Sequence, residues 1–206
     1  MDLIQRWDAL AGPETRRLGD DLVARYGEAH RRYHTAEHLT AVLGLVEELA
    51  GHAADADAVR LAAWFHDAVY DPERGDNEER SARLAERMLA DTDLPPETIA
   101  EVARLVRLTA THAPEPGDAN GEVLCDADLA VLAAAPADYA AYASAVREEY
   151  AFVPEDLFAA GRAEVLRSLL ALPALFRTPA ARDRFEEKAR HNVETELTLL
   201  RARPTP

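Results

Sequence analysis

The chain has 206 residues, 48% of them apolar, one cysteine and a formal net charge of −15. That length and apolar share suit one sizeable core and argue against disorder, while the acidic balance argues against nucleic acid and an anionic membrane surface as partners. One cysteine leaves no internal disulfide framework, no stretch reaches about 18 uncharged apolar residues, and the N-terminus lacks a basic-then-apolar signal pattern.

A cytoplasmic protein acting on small molecules is therefore expected. Ala, Leu, Arg and Glu dominate, and apolar residues recur at spacings of three and four. No segment alternates as a strand would. The pattern predicts an all-α fold of roughly nine or ten helices, near 2–11, 14–29, 35–50, 54–70, 76–91, 95–112, 127–134, 136–151, 155–171 and 180–202. Gly12-Pro13, Gly51, Asp71-Pro72, Pro95-Pro96, a loop at 113–121, Pro136, Pro154 and Pro173 mark the stops. We read one domain over 1–206, with a site-bearing core at about 30–135 and a C-terminal helical half at about 136–202.

Along that order the chemistry begins at Tyr33-His34-Thr35-Ala36-Glu37-His38. With a cap near Thr35, His38 falls in the first turn of a helix and projects inward with Leu39, Val42 and Val46. The next signal ends the apolar run Leu61-Ala62-Ala63-Trp64-Phe65-His66-Asp67. Burying an imidazole or a carboxylate unpaired costs several kcal/mol, roughly 2–7 for a neutral polar group. A divalent cation satisfies both, taking nitrogen from one and oxygen from the other. His112 stands at the polar end of another apolar-faced helix. Beyond the loop, Leu124-Cys125-Asp126-Ala127-Asp128-Leu129 holds two acids in an apolar stretch. Asp126 reads as a helix cap. Asp128, followed by Leu-Ala-Val-Leu, should face inward and need a partner. Cys125 reads as a small core residue.

The order His38, His66-Asp67, Asp128 resembles the HD-domain superfamily of metal-dependent phosphohydrolases. Arg32-Tyr33-His34-Thr35, Trp64-Phe65-His66-Asp67-Ala68-Val69-Tyr70, Asn77-Glu78, Ser81-Ala82, Gly161-Arg162 and 187–192 are similar to one branch of it, a group of uncharacterised bacterial HD phosphohydrolases. The resemblance spans about 30–200. It implies an HD-type helical bundle with metal ligands His38, His66, Asp67 and Asp128. That His2Asp2 set suits Mn, Fe, Co, Ni, Zn or Mg. Such an ion acidifies water and polarises a phosphoryl oxygen. The substrate expected is a small-molecule phosphomonoester or phosphodiester, with nucleotides among the candidates.

Other positions carry two readings each. Asp71 lies one turn beyond Asp67, where the stringent-response nucleotide hydrolases place acids that activate water; before Pro72 it is equally a turn residue. Glu78 is a catalytic candidate or a helix-start acid. His34 and His112 are auxiliary ligands, phosphate-binding groups or helix-end residues. Arg32 and Arg162 are candidate phosphate holders. Glu187, Arg190 and Asn192 suit internal polar contacts, and His30, His52 and His191 suit the surface. Tyr139, Tyr142, Tyr150 and Phe152 suit the core or a subunit contact, which leaves room for a homodimer. Two other classes compete: an HD-type di-iron oxygenase, disfavoured by the lack of histidine between His66 and His112, and a non-catalytic metal-stabilised sensor or interaction domain.

Overall fold

A computed structural model describes residues 1–202. The helical periodicity is realised as α1 (Leu3–Ala11), α2 (Arg16–Tyr26), α3 (Ala36–Leu49), α4 (Ala56–Phe65), α5 (Asn77–Leu89), α6 (Pro96–Leu108), α7 (Ala119–Leu129), α8 (Pro136–Glu149), α9 (Glu155–Ala171) and α10 (Pro179–Ala202). Short 3-10 turns lie at Pro13–Thr15, Ala50–His52 and Ala130–Ala133. No strand occurs among the described residues, as the all-α reading expects, and no single helix among them is long and apolar enough to cross a membrane. The backbone divides into two compact units, Met1–Ala127 and Asp128–Pro206.

In the first unit α4 is buried over most of its length, with Asp57 and Arg60 on its one open side. Ala58, Val59, Leu61, Ala62, Ala63, Trp64 and Phe65 are all buried, the pattern of a core helix. Helices α3, α5 and α6 pack on it, and α1 touches it. Asp55 caps its start, accepting the Ala58 amide at 3.0 Å. Trp7 of α1 lies edge-on to Trp64 and Phe65, with ring centroids 5.2 and 6.3 Å away. Gly19 of α2 permits this approach, because a Cβ there would sit 2.6 Å from the Trp7 ring. Burying each large apolar side chain contributes roughly 1.5–3 kcal/mol, so this aromatic contact anchors the end of α4 that carries His66.

Three helix ends differ from the sequence reading, each for a local reason. Helix α4 stops at Phe65 and not at 70. Pro72 has no N–H for the Ala68 carbonyl, and Arg31 donates to the Asp67 and Ala68 carbonyls instead, at 2.8 and 3.4 Å. Helix α6 stops at Leu108 and not at 112. His112 takes a φ of +50°, and its amide returns to the Leu108 carbonyl at 3.0 Å, the left-handed cap that glycine usually fills. Helix α7 starts at Ala119 and not at 127. Asp118 accepts the Gly121 amide at 3.0 Å, as an N-cap does. Asp126 is therefore no cap; it lies inside α7 and is fully buried, while Asp128 is half-buried. Gly121, which reads as loop in the sequence, is a close-approach position where a Cβ would meet Leu108 Cδ2 at 2.6 Å. Cys125 is a free, buried core residue, as expected.

In the second unit α10 packs on α9 and on the 3-10 turn Ala130–Ala133. Asn192 donates to the Leu132 and Ala134 carbonyls at 2.8 and 3.0 Å. Glu186 accepts the Leu175 and Phe176 amides and pairs with Arg190 at 2.6 Å. Arg190 and Asn192 thus make the internal contacts expected of the last helix. Arg162 of α9 forks onto Glu196 at 2.8 and 3.1 Å and donates to the Tyr142 hydroxyl at 3.0 Å. Tyr139 donates to the same Glu196 at 2.5 Å.

Candidate metal centre

His38, His66 and Asp67 come together in the first unit. Thr35 starts α3 by accepting the Glu37 amide at 3.3 Å, which puts His38 at the third helical residue, buried beside Leu39 and Val42. His66 follows the last residue of α4, its amide still bonded to the Ala62 carbonyl at 2.9 Å. The two Nε2 atoms stand 3.2 Å apart. Asp67 Oδ2 lies 3.0 Å from His66 Nε2 and 3.5 Å from His38 Nε2. Among the described residues these three form the group able to hold a metal ion.

The distances suit that use. Two donors bound side by side to one ion, each at about 2.1 Å, stand about 3.0 Å apart at a right angle and about 3.4 Å at the tetrahedral angle. The chemistry suits it too. His66 Nδ1 lies 2.8 Å from the Ala63 carbonyl oxygen. A carbonyl only accepts, so Nδ1 carries a proton, and Nε2 is left as the ligand atom facing Asp67. This orientation of a ligand imidazole by a backbone carbonyl is usual at metal sites. Burial on its own would raise the Asp67 carboxyl, but the His66 and His34 charges and hydrogen bonds from His38 and His66 outweigh it and hold Asp67 well below the usual carboxylate range. A cation among the three ligand atoms takes the place of the protons they share. The His38 and His66 side chains are 4% and 1% exposed and Asp67 is 18% exposed, so the approach to the centre lies on the Asp67 side.

Behind the ligands, a set of side chains holds the turn that follows α4. Arg31 donates to the Asp67, Ala68 and His34 carbonyls. The Tyr26 hydroxyl accepts the Asp67 amide at 3.3 Å and donates to the Trp64 carbonyl at 3.2 Å. Ser81 Oγ meets both the amide and the carbonyl of Val69, at 3.0 and 3.2 Å. Asn77 accepts the Asp71 amide and donates to the Asp71 and Arg74 carbonyls. Asn77 and Ser81 stand in the sequence motif; here they clip the 69–77 segment to α5. Arg31 and Tyr26 escape sequence reading. Nothing in His30-Arg31-Arg32-Tyr33 says which arginine turns inward, and Tyr26 reads as ordinary core.

The other candidates are placed as follows. His34 stacks on Tyr70, with centroids 4.2 Å apart, and stands edge-on to His38 at 5.9 Å. Its charge acts on Asp67, so it belongs to the neighbourhood of the centre. Arg32 is exposed and donates to the Ala29 and Arg31 carbonyls at 2.7 and 2.9 Å. One Asp71 oxygen accepts the Glu73 amide at 3.0 Å, the turn role its place before Pro72 suggests. Glu78 lies in the first turn of α5. His112 serves the end of α6 through its backbone. Arg162 is engaged by Glu196 within the second unit. Asp126 and Asp128 are two residues apart on α7, so their side chains point about 200° apart.

An all-helical fold that gathers His38, His66 and Asp67 is able to hold a metal ion. Residues 35–135 match the HD domain family, and the chain belongs to that superfamily, one of metal-dependent phosphohydrolase type whose domains bind divalent metals. The matched span contains His38, His66, Asp67, Asp126 and Asp128. No curated protein and no solved structure matches the chain.

Proposed function

We propose that this protein is a metal-dependent hydrolase of a phosphomonoester or phosphodiester bond in a small molecule. The observation that carries the reading is the triangle of His38 Nε2, His66 Nε2 and Asp67 Oδ2, with edges of 3.0–3.5 Å. A bound divalent ion supplies the charge that acidifies water and polarises a phosphoryl oxygen. The protein's part is to present three donors in the right protonation state, with Ala63 fixing the His66 tautomer and Asp67 kept anionic. His34, beside the more open ligand, is placed to exchange a proton with substrate or water. The fourth ligand assigned by the sequence pattern is Asp128, with Asp126 the alternative.

Metal content measured by mass spectrometry on untagged protein tests the first half of this reading, and phosphate release from a panel of small phosphate esters, with Mn2+, Fe2+, Zn2+ or Ni2+ added, tests the second. Near-stoichiometric metal, lost in Asp128→Ala but not in Asp126→Ala, supports the assignment. Bound metal without turnover on any ester favours the sensor reading. No metal under any condition overturns the proposal.

A further inference from the structure

We propose that Arg31 is the positioning residue of the metal centre, and that its guanidinium sets the spacing between His38 and the His66-Asp67 pair. The inference rests on the metal reading above for its purpose, though its geometry stands apart from it. The Arg31 side chain is fully buried. A buried guanidinium is expensive unless its donors are matched. Here Nη1 donates to the His34 carbonyl at 3.0 Å and the Asp67 carbonyl at 2.8 Å, and Nη2 to the Ala68 carbonyl at 3.4 Å. Nε donates to Glu28 at 3.2 Å. Its Cζ lies over the Tyr26 and Tyr70 rings, 5.2 and 5.4 Å from their centroids.

Those carbonyls belong to two stretches of chain distant in sequence. One leads into α3 and carries His34, four residues before His38. The other leaves α4 and carries the ligand Asp67 itself. A single rigid fork therefore ties together the segments that bring in all three donors. The donors lie within a few tenths of an ångström of the separations one ion needs, and helix packing by itself has no reason to meet that tolerance. Lysine does not replace this group: an ammonium has neither the planar fork nor a flat face to lay against tyrosine.

Cobalt(II) is the probe, titrated into the metal-free full chain and read by its visible absorption bands, with wild type compared with Arg31→Met and Arg31→Lys. Hydrogen exchange on the metal-free proteins is read over 30–38 and 64–71. We expect Co2+ affinity to fall by about tenfold or more in both variants, altered band positions, and faster exchange in both segments together. Wild-type affinity and bands in both variants overturn the proposal. If the wild type takes up no Co2+, the metal reading fails, and exchange alone decides the clamp: faster in both segments upholds it, unchanged overturns it. Should Arg31→Met not fold, Arg31→Lys carries the same comparison.

Discussion

The molecule holds two buried polar clusters that resolve burial in opposite ways. In the second unit, Arg162, Glu196, Tyr139 and Tyr142 are matched among themselves: a two-pronged ion pair, a phenol donating to the carboxylate, and a phenol accepting from the guanidinium. Burial raises the Tyr142 phenol, as do the Glu196 and Asp128 charges, against the pull of Arg162; Tyr139 is raised by burial and by its bond to Glu196. Both phenols stay protonated, and every charge has its counter-charge. In the first unit, His38 Nε2, His66 Nε2 and Asp67 Oδ2 turn toward one another as a set of metal-ligand atoms. A buried polar group is tolerated when it has a partner. The second-unit cluster is matched by counter-charges in the chain, whereas the first-unit cluster gathers donor atoms able to hold a cation. That difference, and not burial or charge alone, separates a structural network from a candidate site.

The comparison breaks most decisively at the ligands. The double substitution His66→Ala, Asp67→Ala should abolish stoichiometric metal binding. Added metal should then no longer raise the unfolding midpoint, whereas in wild type, metal at about 100 times its dissociation constant should add about 2.7 kcal/mol. A calorimetric scan with and without metal reads both effects, and equal metal stabilisation of the two proteins would refute the site. Next in size, Glu196→Ala strands the buried Arg162 charge and should cost about 3–5 kcal/mol, measured by urea unfolding. A loss below about 1 kcal/mol would mean the network is not the self-contained ion pair described. Ser81→Ala removes the hydroxyl that serves both polar groups of Val69 and should cost about 1–2 kcal/mol, with weaker metal binding because the turn behind Asp67 loosens.

The smallest effect lies at a solvent-exposed cluster. Glu79 is held at about 2, below its ordinary 4.5, by Arg107 first and Arg83 second. Its folded form binds the proton less tightly than its unfolded form. The stabilisation is therefore present above about 4.5 and fades as pH falls towards about 2. Salt should screen it, and Glu79→Gln should flatten that part of the stability profile slightly.

Much of this was legible in the chain. His66 and Asp67 stand out because an apolar run ends on two metal-ligand types, and His38 because a cap at Thr35, inside the His34-x-x-x-His38 pattern, turns it inward. The helical class follows from periodicity alone. The misread parts share one cause. Asp126 looked like a cap and is buried, because the true cap, Asp118, sits in a stretch of Pro and Gly that reads as loop. Arg162 looked available for phosphate, yet Glu196, 34 residues away, holds it.

By itself, the sequence determined what depends on neighbours along the chain: the helices, the apolar face of each, the proton-free donor types and the family pattern over 35–135. Only the tertiary structure decided what depends on residues far apart in the chain. It brought His38 to 3.2 Å from His66 and chose Arg31 over Arg32 as the inward cation. Periodicity says which face of a helix is buried; it does not say which carbonyl of another segment a buried donor will meet.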